Sequence, residues 1–168
     1  MRIKLITLLT VLFLSAIGNS FFIYKLESTG QEKLDWVNHT HEVLLESQRF
    51  ISSVKDAETG QRGYLLTLDP SYLQPYYSGT SDARSHLKRL KFLTADNQKQ
   101  QERLSDIEDK MTFKFSELIQ TIEITQRNNN NEEALVIVRN NEGKEYMDDL
   151  REILKEFTNA ELLLLESR

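Results

Sequence analysis

Residues that could bind a ligand concentrate in one stretch near the middle of the chain. It combines carboxylates, an arginine and two glycines, and an Asp-Pro pair and a group of tyrosines follow. The candidate site residues are Asp56, Glu58, Thr59, Gly60, Gln61, Arg62, Gly63, Tyr64, Asp69, Pro70, Tyr72 and Tyr76. Because an arginine fork suits carboxylates and phosphates, Arg62 is a candidate anion contact, with Gln61 and Thr59 adding polar groups.

The same residues also have structural interpretations. Arg62 follows Glu58 by four residues, a spacing that favours an ion pair on a helix surface, and Asp56 or Asp69 could instead hold it in a clamp across the turn. Gly60 and Gly63 each cost about 1 kcal/mol in a helix relative to alanine. Close approach of another helix or of a ligand must compensate for that cost.

The tyrosines Tyr64, Tyr72, Tyr76 and Tyr77 allow two interpretations as well. They could line a pocket and fix a small ligand through their hydroxyls, or cap the core of a helical bundle with the polar tip in water. Packing is the commoner role of such rings.

Other chemistry has little support in the sequence. His39 and Glu42 are three residues apart, but the pairings of a helical metal site are missing. The chain has no cysteine, which excludes a thiolate zinc site and a cysteine nucleophile. We therefore predict no catalytic residue, no metal and no cofactor.

Composition favours an all-α protein that does not bind nucleic acid. Only 2 prolines and 6 glycines occur among 168 residues, while 28% are charged, which favours long helices. The net charge of -5 argues against a broad basic face for nucleic acid.

Apolar residues recur at helical spacing along most of the chain. One column repeats every seven residues, at Trp36, Val43, Phe50, Ala57 and Tyr64. This pattern predicts a long first helix over 31–66, a second after Asp69-Pro70, a third through 104–122, a short one over 132–138 and a last long one. Asp69 is the expected N-cap of the second helix, and the poor helix formers at 78–80 predict a local irregularity in it. The expected fold is an up-down bundle of four long helices plus one short helix. The first and last long helices would run antiparallel.

The N-terminal residues predict a membrane anchor. Leu5 to Ile23 is a run without formal charge, close to the roughly 20 residues needed to cross a bilayer. Arg2 and Lys4 precede it, which favours a cytoplasmic N-terminus over 1–4. We predict a transmembrane helix at 5–24, a joint at 25–30 with a short break at 27–30, and an exported domain at 31–168. A cleaved signal peptide is the alternative.

The order of acidic, glycine, arginine and tyrosine residues from Asp56 to Tyr76 closely resembles the signature of the CHASE type three domain. This is a bacterial extracytoplasmic sensor module. A second, weaker motif at 143–151 resembles the start of that family's last helix, and the resemblance covers Leu34 to the C-terminus. The chain departs from the family pattern at Leu68, where many relatives have a small residue such as glycine.

The resemblance implies the sensor of a signalling receptor in the bacterial inner membrane, with residues 25–168 periplasmic. A histidine kinase is the expected parent, and a diguanylate cyclase or a chemoreceptor is the alternative. It also implies a homodimer that responds to an unknown small ligand or periplasmic partner by displacement of the last helix against the first. From a different class, the chain could be a membrane-anchored scaffold or inhibitor.

Overall fold

The chain folds entirely into helices over the part that the structure describes. A computed structural model describes the backbone of residues 2–167 and the side chains of residues 12–25 and 30–167. The helices are α1 (Arg2–Thr67), α2 (Gln74–Leu93), α3 (Gln98–Asn128), α4 (Glu132–Arg139) and α5 (Glu142–Ser167), with a 3₁₀ turn at Pro70–Leu73 between α1 and α2. The predicted all-α fold of four long helices and one short helix is confirmed.

The described part of the chain divides into two units, one of residues 2–39 and one of residues 40–167. The first unit contains the N-terminal part of α1. No helix in the described part of the chain is both long enough and apolar enough to span a membrane. Residues 5–11 of the predicted anchor lie outside the described side chains.

The predicted break at 27–30 is wrong for the backbone, because α1 continues through it. A Cβ added to Gly30 would have no described atom within 4 Å apart from its chain neighbours and the backbone of its own helix, so nothing else packs closely there. A single glycine costs a helix only about 1 kcal/mol, which a helix of 66 residues can absorb. The division into domains stays a prediction.

Within residues 40–167, each long helix runs antiparallel to the long helix before it. Glu46 of α1 bonds His86 of α2 at 2.7 Å, and Gly60, farther along α1, lies against Tyr76, nearer the start of α2. The same reversal relates α2 to α3 and α3 to α5, as the contacts Arg84–Phe115, Lys91–Glu108, Gln100–Glu161 and Lys110–Asp149 show. The up-down order is therefore confirmed.

The seven-residue column of α1 forms one wall of the core. Val43, Phe50, Ala57 and Tyr64 are buried, and Trp36 is partly exposed. The helical periodicity of α3 and α5 holds equally well, with buried Leu104, Ile107, Met111, Phe115, Leu118, Ile122, Met147, Leu150, Leu154 and Phe157. The predicted stripes are thus the surfaces on which the helices pack.

The turn after α1 combines a strained residue with a capping residue. Leu68 has a φ of 59°, the left-handed conformation that glycine adopts most readily, and its N–H donates to the Tyr64 carbonyl at 2.8 Å. Asp69 then accepts a hydrogen bond from the Ser71 N–H at 2.9 Å, which lowers the pKa of its carboxyl. The predicted N-cap is confirmed, although it begins the 3₁₀ turn, and α2 starts only at Gln74.

Helix α2 is regular where the sequence predicted an irregularity at 78–80. A Cβ on Gly79 would lie 2.5 Å from the Ser53 carbonyl oxygen and 2.7 Å from the Ala57 nitrogen. Gly79 therefore allows the backbones of α1 and α2 to come close together, which offsets its poor helix propensity.

We expect Leu68→Gly to stabilise the fold by about 0.5–1 kcal/mol, because it relieves the left-handed strain of an L-residue. Leu66→Gly, a matched change on an exposed residue inside α1, should instead cost about 0.5–1 kcal/mol. Urea unfolding of the full chain followed by circular dichroism measures both changes. Destabilisation by both variants would contradict this explanation of the turn.

Glu46 links α1 to α2 from a largely buried position. Its carboxylate bonds the His86 ring at 2.7 Å and Arg49 at 2.7 Å. Burial raises the pKa of Glu46, but the hydrogen bonds to His86 and Arg49 outweigh that effect and hold it below its ordinary value of 4.5. A carboxyl whose pKa is lowered on folding stabilises the protein above its unfolded pKa, and this contribution is lost as the pH falls through the folded value.

Glu46→Gln should therefore cost about 1 kcal/mol at pH 7, and the difference from the unchanged protein should shrink as the pH falls below about 4.5. Urea unfolding between pH 3 and 7 would show this convergence. Glu42→Gln is the matched control. Glu42 forms an exposed ion pair with Arg89, so this variant should lose little stability at any pH. A pH-independent loss in Glu46→Gln would argue against the assigned ionisation.

Candidate functional site

The residues singled out in the sequence that belong to α1 do not share one face of that helix. Gly60 and Gly63 face the segment that begins α2. A Cβ on Gly60 would lie 2.6 Å from the Tyr76 nitrogen, and one on Gly63 would lie 2.6 Å from the Tyr72 ring. On this face, the glycines allow another part of the chain to pack closely.

The tyrosines divide between the core and the surface. Tyr64 and Tyr76 are buried, whereas Tyr72 and Tyr77 are about half exposed. The rings of Tyr76 and Tyr77 meet edge to face with centroids 5.4 Å apart, and burial raises the pKa of the Tyr76 hydroxyl. Their arrangement fits packing at the start of α2.

The other face of the motif opens onto a polar cavity of about 350 Å³. Three of the candidate residues line it from α1. The rest come from α3, α4, the turn between α4 and α5, and the start of α5. We call this space the polar cavity, and its lining residues are Glu58, Gln61, Arg62, Lys114, Glu117, Val138, Arg139, Asn141, Gly143 and Lys144.

A buried lysine forms the floor of the polar cavity. The Lys114 side chain is only 2% exposed, and its ammonium donates to Glu58 at 2.8 Å and to Glu117 at 3.1 Å. A buried charge is tolerated only when it is paired and hydrogen-bonded. The two carboxylates satisfy that condition and connect α1 to α3.

Gly143 belongs to the same cluster through its lack of a side chain. A Cβ there would lie 2.6 Å from the Glu117 Oε2 and 3.0 Å from the Lys114 Nζ. Helix α5 begins one residue before Gly143. Asn141, which precedes the helix, has a φ of 68°, and the Asn140 side chain accepts a hydrogen bond from the Glu142 N–H at 2.9 Å. The first turn of α5 can therefore lie directly against the buried ion pair.

Polar contacts continue along α1 on the cavity side. The Gln61 side chain, 1% exposed, donates to the Thr121 hydroxyl at 2.7 Å. Arg62 pairs with Glu58 in its own helix at 3.1 Å, as its spacing predicted, and bonds neither Asp56 nor Asp69. The clamp across the turn is therefore not formed.

The lining carries a formal excess of two positive charges. Four cationic and two acidic side chains contribute to it. Lys144 pairs with Asp148 at 2.8 Å, and that hydrogen bond raises the pKa of the Lys144 ammonium. Arg139 forms no ion pair within the described part of the chain. This arrangement suits the binding of an anion.

The remaining candidates lie away from the polar cavity. Asp56 and Thr59 are exposed on α1 and do not line it. Asp69 and Pro70 serve the turn. Glu42 bonds Arg89, and the described residues contain no group of side chains arranged to hold a metal ion.

Sequence reasoning missed the contribution of α3, α4 and α5. A signal for Lys114 was present, because it stands between Met111 and Leu118 at the spacing of the buried stripe. Glu117, one turn later, can reach it on a helix. No local pattern marks Arg139, which reaches the cavity only through the tertiary fold.

Comparison with known proteins identifies the class of this arrangement. The chain is similar to the crystal structure of the Rhodopseudomonas palustris histidine kinase HK9 sensor domain, with a TM-score of 0.71 and 26% sequence identity over 76% of this chain and 99% of that one. No curated protein sequence matches at a significant level. The fold is thus that of a sensory domain.

The CHASE3 domain family matches residues 33–168, most of the chain and close to the range that the sequence motifs indicated. The chain therefore belongs to the CHASE3 domain family. This is a sensor domain and not itself a catalytic one.

We expect Lys114→Met to destabilise the bundle by about 3 kcal/mol, because it leaves two carboxylates facing each other without their shared cation. Lys110→Met is the matched control on the same helix, since the Lys110–Asp149 pair is partly exposed and should be worth less than about 1 kcal/mol. Urea unfolding at pH 7 compares the two. Adding Glu117→Gln to Lys114→Met should restore part of the lost stability. Equal losses in Lys114→Met and Lys110→Met would disprove the special role of the buried cation.

Proposed function

We propose that the chain is the periplasmic sensory domain of a membrane-anchored receptor, with a histidine kinase as the output. The observation that carries the proposal is the match to the CHASE3 family over residues 33–168. The likeness to a histidine kinase sensor domain favours a kinase over a diguanylate cyclase or a chemoreceptor.

Residues 5–24 are proposed as the membrane anchor, with residues 1–4 in the cytoplasm. Support comes from the uncharged run that starts at Leu5, from the two basic residues before it and from the membership of a receptor-sensor family. The body of the chain would then lie outside the inner membrane.

The proposed mechanism is a displacement of α5 against α1. The two helices are antiparallel neighbours and share a second cavity of about 390 Å³, which Leu44 and Ile51 line from α1 and Leu154 and Leu162 line from α5. A signal must bind one packing of these helices better than another to shift their equilibrium. Small helix shifts of this kind are a known means of transmission.

A second copy of the chain is the proposed partner. Leu45 on α1 and Leu162 and Leu163 on α5 are exposed, and exposed apolar residues of this kind suit a helix-to-helix interface. A homodimer would place two copies of α5 side by side, where one displacement can affect both.

The location is testable with a reporter enzyme that needs disulfide bonds. Alkaline phosphatase fused after residue 168 should be active in bacterial cells, because its disulfides form only outside the cytoplasm. The same fusion to residues 25–168 should be inactive. The chain has no cysteine, so it cannot interfere with disulfide formation.

An inactive full-length fusion that is present in normal amounts would refute the periplasmic assignment. Activity in both fusions would show that residues 1–24 do not direct export.

A further inference from the structure

Three cations surround the polar cavity and have bonding capacity left. Arg139 has no ion-pair partner among the described residues. Arg62 uses one contact to Glu58 at 3.1 Å and is 60% exposed, and Lys144 is 71% exposed beside Asp148. A guanidinium has five N–H donors, so both arginines can still bind an oxyanion in a forked geometry.

The floor of the same cavity has the opposite character. Glu58 binds Lys114 and Arg62 through Oε1, and Glu117 binds Lys114 through Oε2. The second oxygen of each carboxylate accepts no hydrogen bond from the described residues. Lys114 and Arg62 thus occupy one oxygen of each carboxylate at most, and the free oxygens can accept hydrogen bonds from a further cationic donor.

We infer that the polar cavity binds an acidic amino acid, a small anion with two carboxylates and one ammonium group. Its carboxylates would pair with Arg139, Arg62 and Lys144, and its ammonium would donate to Glu58 and Glu117. The ligand's net charge of -1 partly offsets the positive excess of the lining.

An acidic amino acid fits the polar cavity better than simpler anions, because the cavity offers cations for its carboxylates and carboxylates for its ammonium group. A dicarboxylate without an amino group offers no cation to the floor, and a neutral amino acid has only one carboxylate for three cations. Inorganic phosphate would place its negative charge near the floor carboxylates. The volume of about 350 Å³ lies at the lower end of the range for small-molecule sites.

That this ligand acts as the sensory input rests on the proposed function. Glu58 and Arg62 belong to α1, whereas Arg139 ends α4 and Lys144 lies in the first turn of α5. A ligand held by all of them would bridge the two helices whose displacement is proposed to carry the signal. Such a ligand favours the packing in which the bridge can form.

Isothermal titration of the full chain in mild detergent tests the ligand class. L-glutamate and L-aspartate are the probes, and succinate, L-glutamine and inorganic phosphate are the comparisons. At least one acidic amino acid should bind saturably. Each comparison should bind at least about tenfold more weakly, the usual effect of losing one charged hydrogen bond.

A matched pair of variants tests the place of binding. Arg139→Met should weaken binding about ten- to hundredfold, whereas Arg127→Met should leave it unchanged. Both arginines are exposed and lack a described ion-pair partner, and both changes remove one positive charge. Melting temperatures close to that of the unchanged protein should show that each variant folds.

Several results would overturn the inference. These are no saturable binding, equal weakening in Arg139→Met and Arg127→Met, or binding of succinate, glutamine or phosphate as tight as that of the acidic amino acids. None of them affects the reporter experiment, which uses no ligand. Conversely, an inactive reporter fusion would refute the receptor location while leaving the binding site intact.

Discussion

The buried ammonium of Lys114 is the interaction on which the arrangement of the bundle depends. Removed from water, it needs two anionic acceptors within hydrogen-bond distance, and it finds them in Glu58 of α1 and Glu117 of its own helix. This requirement fixes the register of α1 against α3. It also constrains α5, because a Cβ at position 143 would displace the ends of the Glu117 and Lys114 side chains that form the ion pair. One charge thereby positions three helices.

The helical repeat explains why a single motif serves two purposes. Successive residues on a helix are about 100° apart, so Gly60 and Gly63 face the segment that begins α2 while Glu58 and Arg62 line the polar cavity. The first face needs small residues so that the chain can pack closely, and the cavity face carries charged side chains. The dense mixture of glycine and charged residues in this stretch follows from those two demands.

The parts of the fold that depend on local sequence were predictable, and those that depend on distant contacts were not. The stripe from Leu104 to Ile122 and the Asp69 cap indicated helices and a turn correctly. Gly79 looked like a helix irregularity because its compensation, the nearby backbone of Ser53 and Ala57, comes from another helix. Likewise, the spacing of Glu58 and Arg62 made an ion pair one of several possibilities, but Lys114, Arg139 and Gly143 join them only after the chain has folded.

The placement of the polar cavity fits the proposed relay because the contacts along α5 differ in kind. Near its N-terminus, Gly143 lies against a hydrogen-bonded ion pair, and hydrogen bonds depend on distance and direction. Farther along α5, Leu154 and Leu162 face α1 across the second cavity. Apolar contacts of this kind have no hydrogen bonds that a displacement would break. A change in the contacts of the first turn of α5 would therefore move the C-terminal half of that helix most easily, and that half is the part that lies against α1 at the second cavity.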